Sequence, residues 1–463
     1  MKSTGTVLMI LVLVILCISS TYTTSARLAD NVFTKFLNSD EYDDVPETKW
    51  AVLVAGSKDW TNYRHQADVC HAYQVLTNGG LSKENIIVFM YDDIAYNSDN
   101  PFPGRIYNSF QEIDVYEGVE VDYAGENATA DNLLAVLLGN PFQLIGGNGK
   151  VLSSSSRDRV FMFYSGHGNV EILGMPVGPV FKAKPFIELL QANYEYNYFK
   201  SMVIYINACK SGSIFTLLPN NISVYATTSA NASENSYGTY CGFGNDDGGD
   251  GVCLGSLYSV AWLQHTEAFD RATLGQQYKA VQFQVLNSWS TPPSQVQQLG
   301  DISIANDFVS TYMGSRERLI HQTRDYHSSS SSRSSNFEDE VPCAEHELDY
   351  YRNRVKRSRP DSPNYARYKK ELDERLAQRK LEDDNFAGIR KLLFKDETGS
   401  KVKNVVNEVQ RNNCFKSLMD IYWKNCGSIS EYGMRLAKEF DKMCDAGVTD
   451  DEFMAASTQV CSA

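Results

Sequence analysis

Two short apolar runs each lead into a residue that can do nucleophilic or acid/base chemistry. Lys200 to Phe215 reads KSMVIYINACKSGSIF. Met202 to Ile206 is rich in β-branched and aromatic side chains and bounded by polar residues, which reads as a buried strand, and Cys209 follows it. Ser211, Gly212 and Ser213 then let the backbone turn tightly and leave N–H groups near the sulfur, where an anionic intermediate could be held. Arg159 to Tyr164, RVFMFY, is a second strand of the same design, and it runs into Ser165, Gly166, His167 and Gly168. A histidine between two glycines has no apolar face to pack into, and the Gly168 N–H can approach a substrate oxygen closely. Taken alone, Cys209 fits a buried structural thiol, a common use of free cysteine. Taken with His167 at a matching strand end, it reads as half of a nucleophile and base pair. The thiolate is the attacking species, and a nearby imidazole lowers the thiol pKa from about 8.5 and later protonates the leaving amine.

Open α/β sheets carry their chemistry at the carboxyl ends of parallel strands, so the rest of the chain should supply such a sheet. Trp50 to Ala55 and Asn85 to Met90 read as the first two strands, the His167 and Cys209 strands as the next two, and Ile222 to Thr228 as a fifth. Helices are expected at Ala67 to Leu76, Asp131 to Leu138, Gly255 to Leu263 and Gln276 to Leu286. This alternation predicts an α/β fold, a mostly parallel sheet covered by helices and closing near residue 315. The 463 residues, 43% hydrophobic and 22% charged with a mean hydropathy of −0.34, can bury a large core. A net charge of −14 disfavours generic nucleic-acid binding.

Residues 1–26 have the layout of a secretory signal peptide: Lys2, an apolar run from Val7 to Ile18, then Thr24, Ser25 and Ala26. That run falls short of the roughly 20 residues that span a bilayer, and no stable membrane span is expected. Sequons begin at Asn127, Asn221 and Asn231, compatible with glycosylation in the secretory path. Of ten cysteines, Cys17 lies in the leader; the odd count that remains fits bridged pairs plus a reactive thiol, for which Cys209 is the candidate, Cys70 and Cys343 also lacking obvious partners. Cys241 and Cys253 flank a polar, glycine-rich loop that a disulfide would close. Residues 316–344 collapse into serine-rich sequence around HSSSSSRSSNFEDE and read as a flexible linker open to proteolysis, with Asn336 inside it.

Beyond the linker, residues 345–463 divide into a basic helical segment and a cysteine-stapled end. Arg352 to Lys380 carries +7, leaving −21 for the remainder of a chain of net −14; docking onto the acidic domain and a plain solvated helix face are both open. Cys414 to Ala463 reads as three short helices with capping boxes at Ser428/Glu431 and Thr449/Glu452. Its four cysteines, Cys414, Cys426, Cys444 and Cys461, allow three pairings.

Strand, SGHG, strand, ACKSGS, preceded by NYRHQADVCHAYQ and followed by ATTSANASENSYGTYC and CGSISEYGM, resembles the legumain or asparaginyl endopeptidase family. The resemblance implies a caspase-like sheet, a zymogen held inactive by its own helical C-terminal prodomain, peptide and protein substrates, no cofactor or metal, and a vacuolar, lysosomal or extracellular destination. It implies the disulfides Cys414 with Cys444 and Cys426 with Cys461. Carried over by position, Cys209 is the nucleophile, His167 the acid/base and Asn62 the residue that orients it. Gly168 and Cys209 supply oxyanion N–H groups, and Arg64 and Ser236 line the pocket for the substrate asparagine. Several positions depart from the pattern. Asn207 and Ser256 stand where the family has a glutamate and an aspartate, Asn235 where it has a pocket serine, Gly166 where it has an aspartate, and Asn169-Val170-Glu171 replaces a Gly-Pro-rich turn. The chemistry is expected to be kept and the pocket rewritten, with Arg64 deprived of both acids; either preference moves from Asn towards Asp, or Asn207 and Asn235 supply enough acceptor oxygen to keep asparagine recognition. The same thioester could serve a peptide ligase, and the lost acids would suit a weakly catalytic binding protein.

Overall fold

A computed structural model of the chain describes residues 47–242, 251–269, 271–288, 293–315, 341–342, 346–394, 408–427 and 429–461. The leader, most of the 316–344 linker with Asn336 and Cys343, and Ser428 lie outside the described residues. The strands are β1 (Lys49–Gly56), β2 (Ile86–Met90), β3 (Tyr123–Ala124), β4 (Arg159–Gly166), β5 (Gly168–Asn169), β6 (Ile172–Leu173), β7 (Phe181–Lys182), β8 (Ser201–Asn207), β9 (Val224–Thr228), β10 (Tyr237–Thr239), β11 (Gly255–Ser256), β12 (Gln297–Gly300) and β13 (Val341–Pro342). The helices are α1 (Tyr63–Asn78), α2 (Ala130–Leu137), α3 (Ala183–Glu195), α4 (Leu257–Ala268), α5 (Leu274–Leu286), α6 (Ser310–Met313), α7 (His346–Arg357), α8 (Pro363–Leu393), α9 (Glu408–Cys426), α10 (Ala437–Asp445) and α11 (Asp450–Cys461).

The main sheet runs in the order β12-β9-β8-β4-β1-β2-β3, parallel throughout except for β12, which pairs antiparallel with β9 at the edge. Successive side chains of a strand face opposite sides, so β1 feeds two cores. Ala51, Leu53 and Ala55 meet α1, α4 and α5, while Val52 and Val54 meet α2 and α3. Trp262 of α4 anchors the first core, its ring edge-on to Phe161, Phe163 and Tyr205 at 5.0 to 5.8 Å. Buried on both faces, these strands are near-continuous apolar runs, which is why they were legible from sequence.

The expected helix at Gly255 to Leu263 starts two residues later, because Gly255 and Ser256 pair with β10 as β11. A Cβ at Gly255 would lie 3.0 Å from Asn108 Nδ2, so the strand approaches more closely than another residue allows. Helix α3 and edge strand β12 were not anticipated. Val341 and Pro342, placed in the linker by composition, form β13 against Tyr237 and Gly238 of β10.

The C-terminal region has its own core around Phe440, which packs with Phe386, Phe415, Tyr422 and Phe453 and reaches Ile172 of β6. Disulfides join Cys414 to Cys444, Cys426 to Cys461, and, in the first domain, Cys241 to Cys253. The Thr449/Glu452 capping box is formed, with backbone N–H to side-chain bonds of 3.0 and 3.3 Å. The Ser428/Glu431 box falls on Ser428, outside the described residues. Leu348, Tyr350 and Tyr351 of α7 and Tyr368 and Leu372 of α8 join the core of the first domain, so the basic segment docks largely through apolar surface. Of its charges, Arg367 meets Asp99 at 2.7 Å and Arg375 meets Asp59 at 3.7 Å in that domain, whereas Lys369, Lys370 and Lys380 pair one turn along their own helix. Among the described residues, no helix is long and apolar enough to cross a membrane.

Candidate active site

Adjacent parallel strands set the two candidate residues side by side. Strand β4 pairs with β8 in a register that ends with Ser165 opposite Asn207. His167 and Cys209 each follow two residues later, at the same level beyond the carboxyl edge of the sheet. Both are buried, Cys209 at 5% and His167 at 6% exposure. Gly168 ties the two ends together: a Cβ there would fall 2.6 Å from the Cys209 carbonyl oxygen and 2.8 Å from Ala208 Cβ, so only glycine allows this approach.

The chain turns sharply after Cys209. Lys210 adopts the left-handed conformation (φ 56°, ψ 24°), at a cost of roughly 1–2 kcal/mol for a residue with a side chain. Its N–H donates to the Glu234 carbonyl at 2.7 Å and its Nζ to Asn169 Oδ1 at 3.1 Å. The turn corrects one expectation: the Gly212 and Ser213 N–H groups are not presented to an anion, since they donate to the Ala230 and Lys210 carbonyls at 3.0 and 2.9 Å. Of the N–H groups considered, those of Gly168 and Cys209 are left as the oxyanion candidates.

Asn62 stands at the N-cap of α1 but makes no side-chain capping bond. Its Nδ2 donates to the Lys58 carbonyl at 2.8 Å, which turns Oδ1 to His167 Nε2 at 2.7 Å. Because Oδ1 can only accept, Nε2 carries the proton and Nδ1 is left with the lone pair. The His167 loop is held from behind by the Tyr164 hydroxyl, which donates to the His167 and Gly174 carbonyls at 2.9 and 2.7 Å. That hydroxyl occupies the space a Cβ at Gly166 would need, and Gly56 Cα would lie 2.9 Å from the same Cβ. The departure at Gly166 therefore has a packing reason. His65, fully buried, sits edge-on to His167 with ring centroids 4.8 Å apart and is fixed by Ser57 Oγ at 2.7 Å from its Nδ1.

The pocket residues gather under β10 and β11. Arg64 is 1% exposed. A Cβ at Gly238 would lie 3.5 Å from its Cδ. Ser236, also buried, has Oγ 3.7 Å from Cys209 Sγ, and Asn235 beside it is half-buried. Asn207 Nδ2 donates to Ser165 Oγ at 3.2 Å, and Ser165 Oγ to Asp68 Oδ2 at 2.7 Å. The Ser256 N–H donates to Asp68 Oδ1 at 3.1 Å. Asp68 is a residue that sequence reasoning missed; burial pushes its carboxyl up, against the lowering effect of the hydrogen bonds that hold it. The other free cysteine among the described residues, Cys70, lies 3.8 Å from Met90 Sδ with its thiol pushed well up by burial, an unreactive setting.

Two further missed residues come from beyond the linker. Glu431, whose expected capping partner Ser428 lies outside the described residues, places a carboxylate oxygen 2.9 Å from His167 Nδ1, close but out of line with a hydrogen bond. His346, the first residue of α7, has Nε2 3.2 Å from Cys253 Sγ, and burial, reinforced by Arg64 and His167, pushes its imidazole down to about 3. A sequence pattern offers no signal for either, because each meets the site only after the C-terminal region has docked. Among the described residues, no cluster of His, Cys, Asp and Glu could hold a metal ion.

Comparison with known proteins places the chain in a family. The profile of the Peptidase C13 family matches residues 49–315, and that of the legumain prodomain matches residues 370–461. The vacuolar-processing enzyme of Vicia sativa is 38% identical, covering 94% of this chain and 90% of its own. Legumain of Canavalia ensiformis is 38% identical over 98% and 96%, and the vacuolar-processing enzyme of Ricinus communis 40% over 91% and 86%. A solved caspase-1 from Spodoptera frugiperda aligns with a TM-score of 0.34 at 10% identity, over 55% of this chain and 86% of that one, a likeness too slight to argue from. With one profile spanning more than half of its length and such relatives aligned almost end to end, the chain belongs to the Peptidase C13 family and carries a legumain prodomain.

Proposed function

We propose that the protein is a cysteine endopeptidase of the legumain family in which Cys209 is the nucleophile, His167 the acid/base and Asn62 its orienting residue. The observation that carries the assignment is the β4–β8 register, which sets His167 and Cys209 level with each other while Asn62 leaves His167 Nδ1 as the basic nitrogen. In this reading Nδ1 takes the thiol proton and Sγ attacks the scissile carbonyl carbon. The Gly168 and Cys209 N–H groups hold the oxyanion, the C–N bond breaks, and Nδ1 returns the proton to the leaving amine. Water then hydrolyses the thioester. Ser236, beside the sulfur, and Arg64, Asn207, Asn235 and Ser256 form the side-chain pocket.

The prodomain acts as the intramolecular inhibitor. Glu431 faces the nitrogen that must accept the thiol proton, and β13 takes the hydrogen-bonding edge of β10 that an extended substrate would use. Release in an acidic compartment fits the vacuolar name of the relatives and the leader-like sequence at 1–26. A peptide carrying a thiol-directed alkylating group should label Cys209 of the activated chain and abolish hydrolysis. Loss of activity with label on Cys70 or Cys343 would sink the assignment.

A further inference from the structure

We infer that the pocket takes an ionised aspartate side chain in preference to asparagine, an inference that rests on the endopeptidase reading above. Arg64 carries it. Its guanidinium is buried, and Nη1 alone has a partner, the Thr61 carbonyl at 3.3 Å. Nε and Nη2 have none. These two N–H groups lie in the guanidinium plane along one edge, point the same way and make the fork that holds both oxygens of a carboxylate. A buried guanidinium with this fork open is in an unfavourable state that a bound anion relieves.

The surroundings leave the anion to be supplied by the ligand. Asn207 and Ser256 are fully buried and neutral; Asn207 Oδ1 is itself unpartnered, and the Ser256 hydroxyl lies against Asp68 with oxygen lone pairs still able to accept. Asp68, one turn along α1, has its oxygens engaged by Asn108 Nδ2, Ser165 Oγ and the Ser256 N–H at 3.0, 2.7 and 3.1 Å, and makes no ion pair with Arg64 among the described residues. Two imidazoles lie in electrostatic reach of Arg64, His65 on the same helix and His346 from α7. Burial keeps His65 and His346 neutral. The latent form thus brings an uncharged ring, not a carboxylate, towards Arg64, and departure of α7 leaves the open fork to the substrate.

An aspartate fills both arms of the fork. An asparagine can offer its carbonyl to one arm, but its NH₂ then meets the other, donor against donor. Turning the amide towards Asn207 Oδ1 or Ser256 Oγ satisfies it and leaves the second arm empty.

The test is a pair of peptides differing only by Asp or Asn on the acyl side of the cleaved bond, given to the acid-activated full chain at pH 6, where the Asp carboxyl is ionised. The kcat/KM for Asp should exceed that for Asn by about 10- to 100-fold. The ratio should fall as pH drops below about 4 and the substrate carboxyl takes up a proton. Asn207→Glu with Ser256→Asp, which sets two acids beside Arg64, should move the ratio towards Asn by a comparable factor. A preference for Asn at pH 6 in the unaltered chain overturns the inference and leaves the peptidase reading standing, whereas cleavage of neither peptide overturns both. The first comparison uses the natural sequence, so it stands whether or not the double variant folds.

Discussion

Replacing His346 with leucine removes from the docked prodomain an imidazole that must be neutral to sit where it does. Undocked, a histidine titrates near 6.5. Seated at the start of α7, it is held at about 3 by burial first and by Arg64 and His167 second. For a base whose pKa is depressed on docking, the neutral form is the one that binds. Docking is therefore at full strength above about pH 6.5 and weakens as pH falls from there towards 3. At pH 5 the loss is about 2 kcal/mol, roughly 30-fold in the undocked fraction. Glu347, the next residue, works in the opposite sense: burial raises its carboxyl although Arg375 lies 3.3 Å away, so its contribution to docking grows as pH falls. Both chains carry Glu347, so a ratio of wild type to His346→Leu isolates the histidine. The assay is the rate at which iodoacetamide labels Cys209 in chain still intact on a gel, at pH 7.5 and at pH 5. The labelling ratio of wild type to variant should rise about 30-fold on acidification. A ratio that stays flat would refute the idea that His346 titrates across docking, whatever the two chains do individually.

Glu431→Ala removes the carboxylate beside His167 Nδ1; an unaligned charged contact of this kind is worth about 1 kcal/mol, so acid activation should run roughly fivefold faster, and an unchanged rate would show that the contact does not hold the zymogen. Gly168→Ala puts a methyl group 2.6 Å from the Cys209 carbonyl oxygen and must displace the N–H proposed to hold the oxyanion; kcat should fall by about 100-fold or more with KM little changed, and a kcat within threefold of wild type would remove Gly168 from that role. Raising salt from 0.1 to 1 M should speed activation less than about tenfold, because the Arg367–Asp99 and Arg375–Asp59 pairs are partly exposed and individually weak. A salt effect as large as that of acid would mean that charge, not the Leu348, Tyr350 and Tyr351 face, holds α7 and α8 in place.

Much of the sheet could be read along the chain because its strands are buried on both faces. Such runs as VFMFY and MVIYI carry their burial in every residue, and the small residues after them mark where the chain must turn. Cys209 and His167 stood out for the same reason: each is a reactive side chain where an apolar run gives way to glycine and serine. Local chemistry also marked the Cys241–Cys253 loop and the Thr449/Glu452 cap. Helix α3 was overlooked although Phe186, Ile187, Leu189 and Leu190 are buried along it, and β12 because a four-residue polar edge strand such as QQLG has no periodicity to find. What only the tertiary structure decided is which distant residues share the site. Asn62 forgoes its cap to reach His167, Asp68 gathers donors from three segments, Glu431 comes to an imidazole of the first domain, and Val341 and Pro342 exchange a linker for the edge of β10. A residue's local pattern reports the free energy of its own helix, strand or turn. Contacts across 100 or more residues are set by docking of whole surfaces, and the burial that creates an unpaired Arg64 fork or a neutral His346 exists only once those surfaces have met.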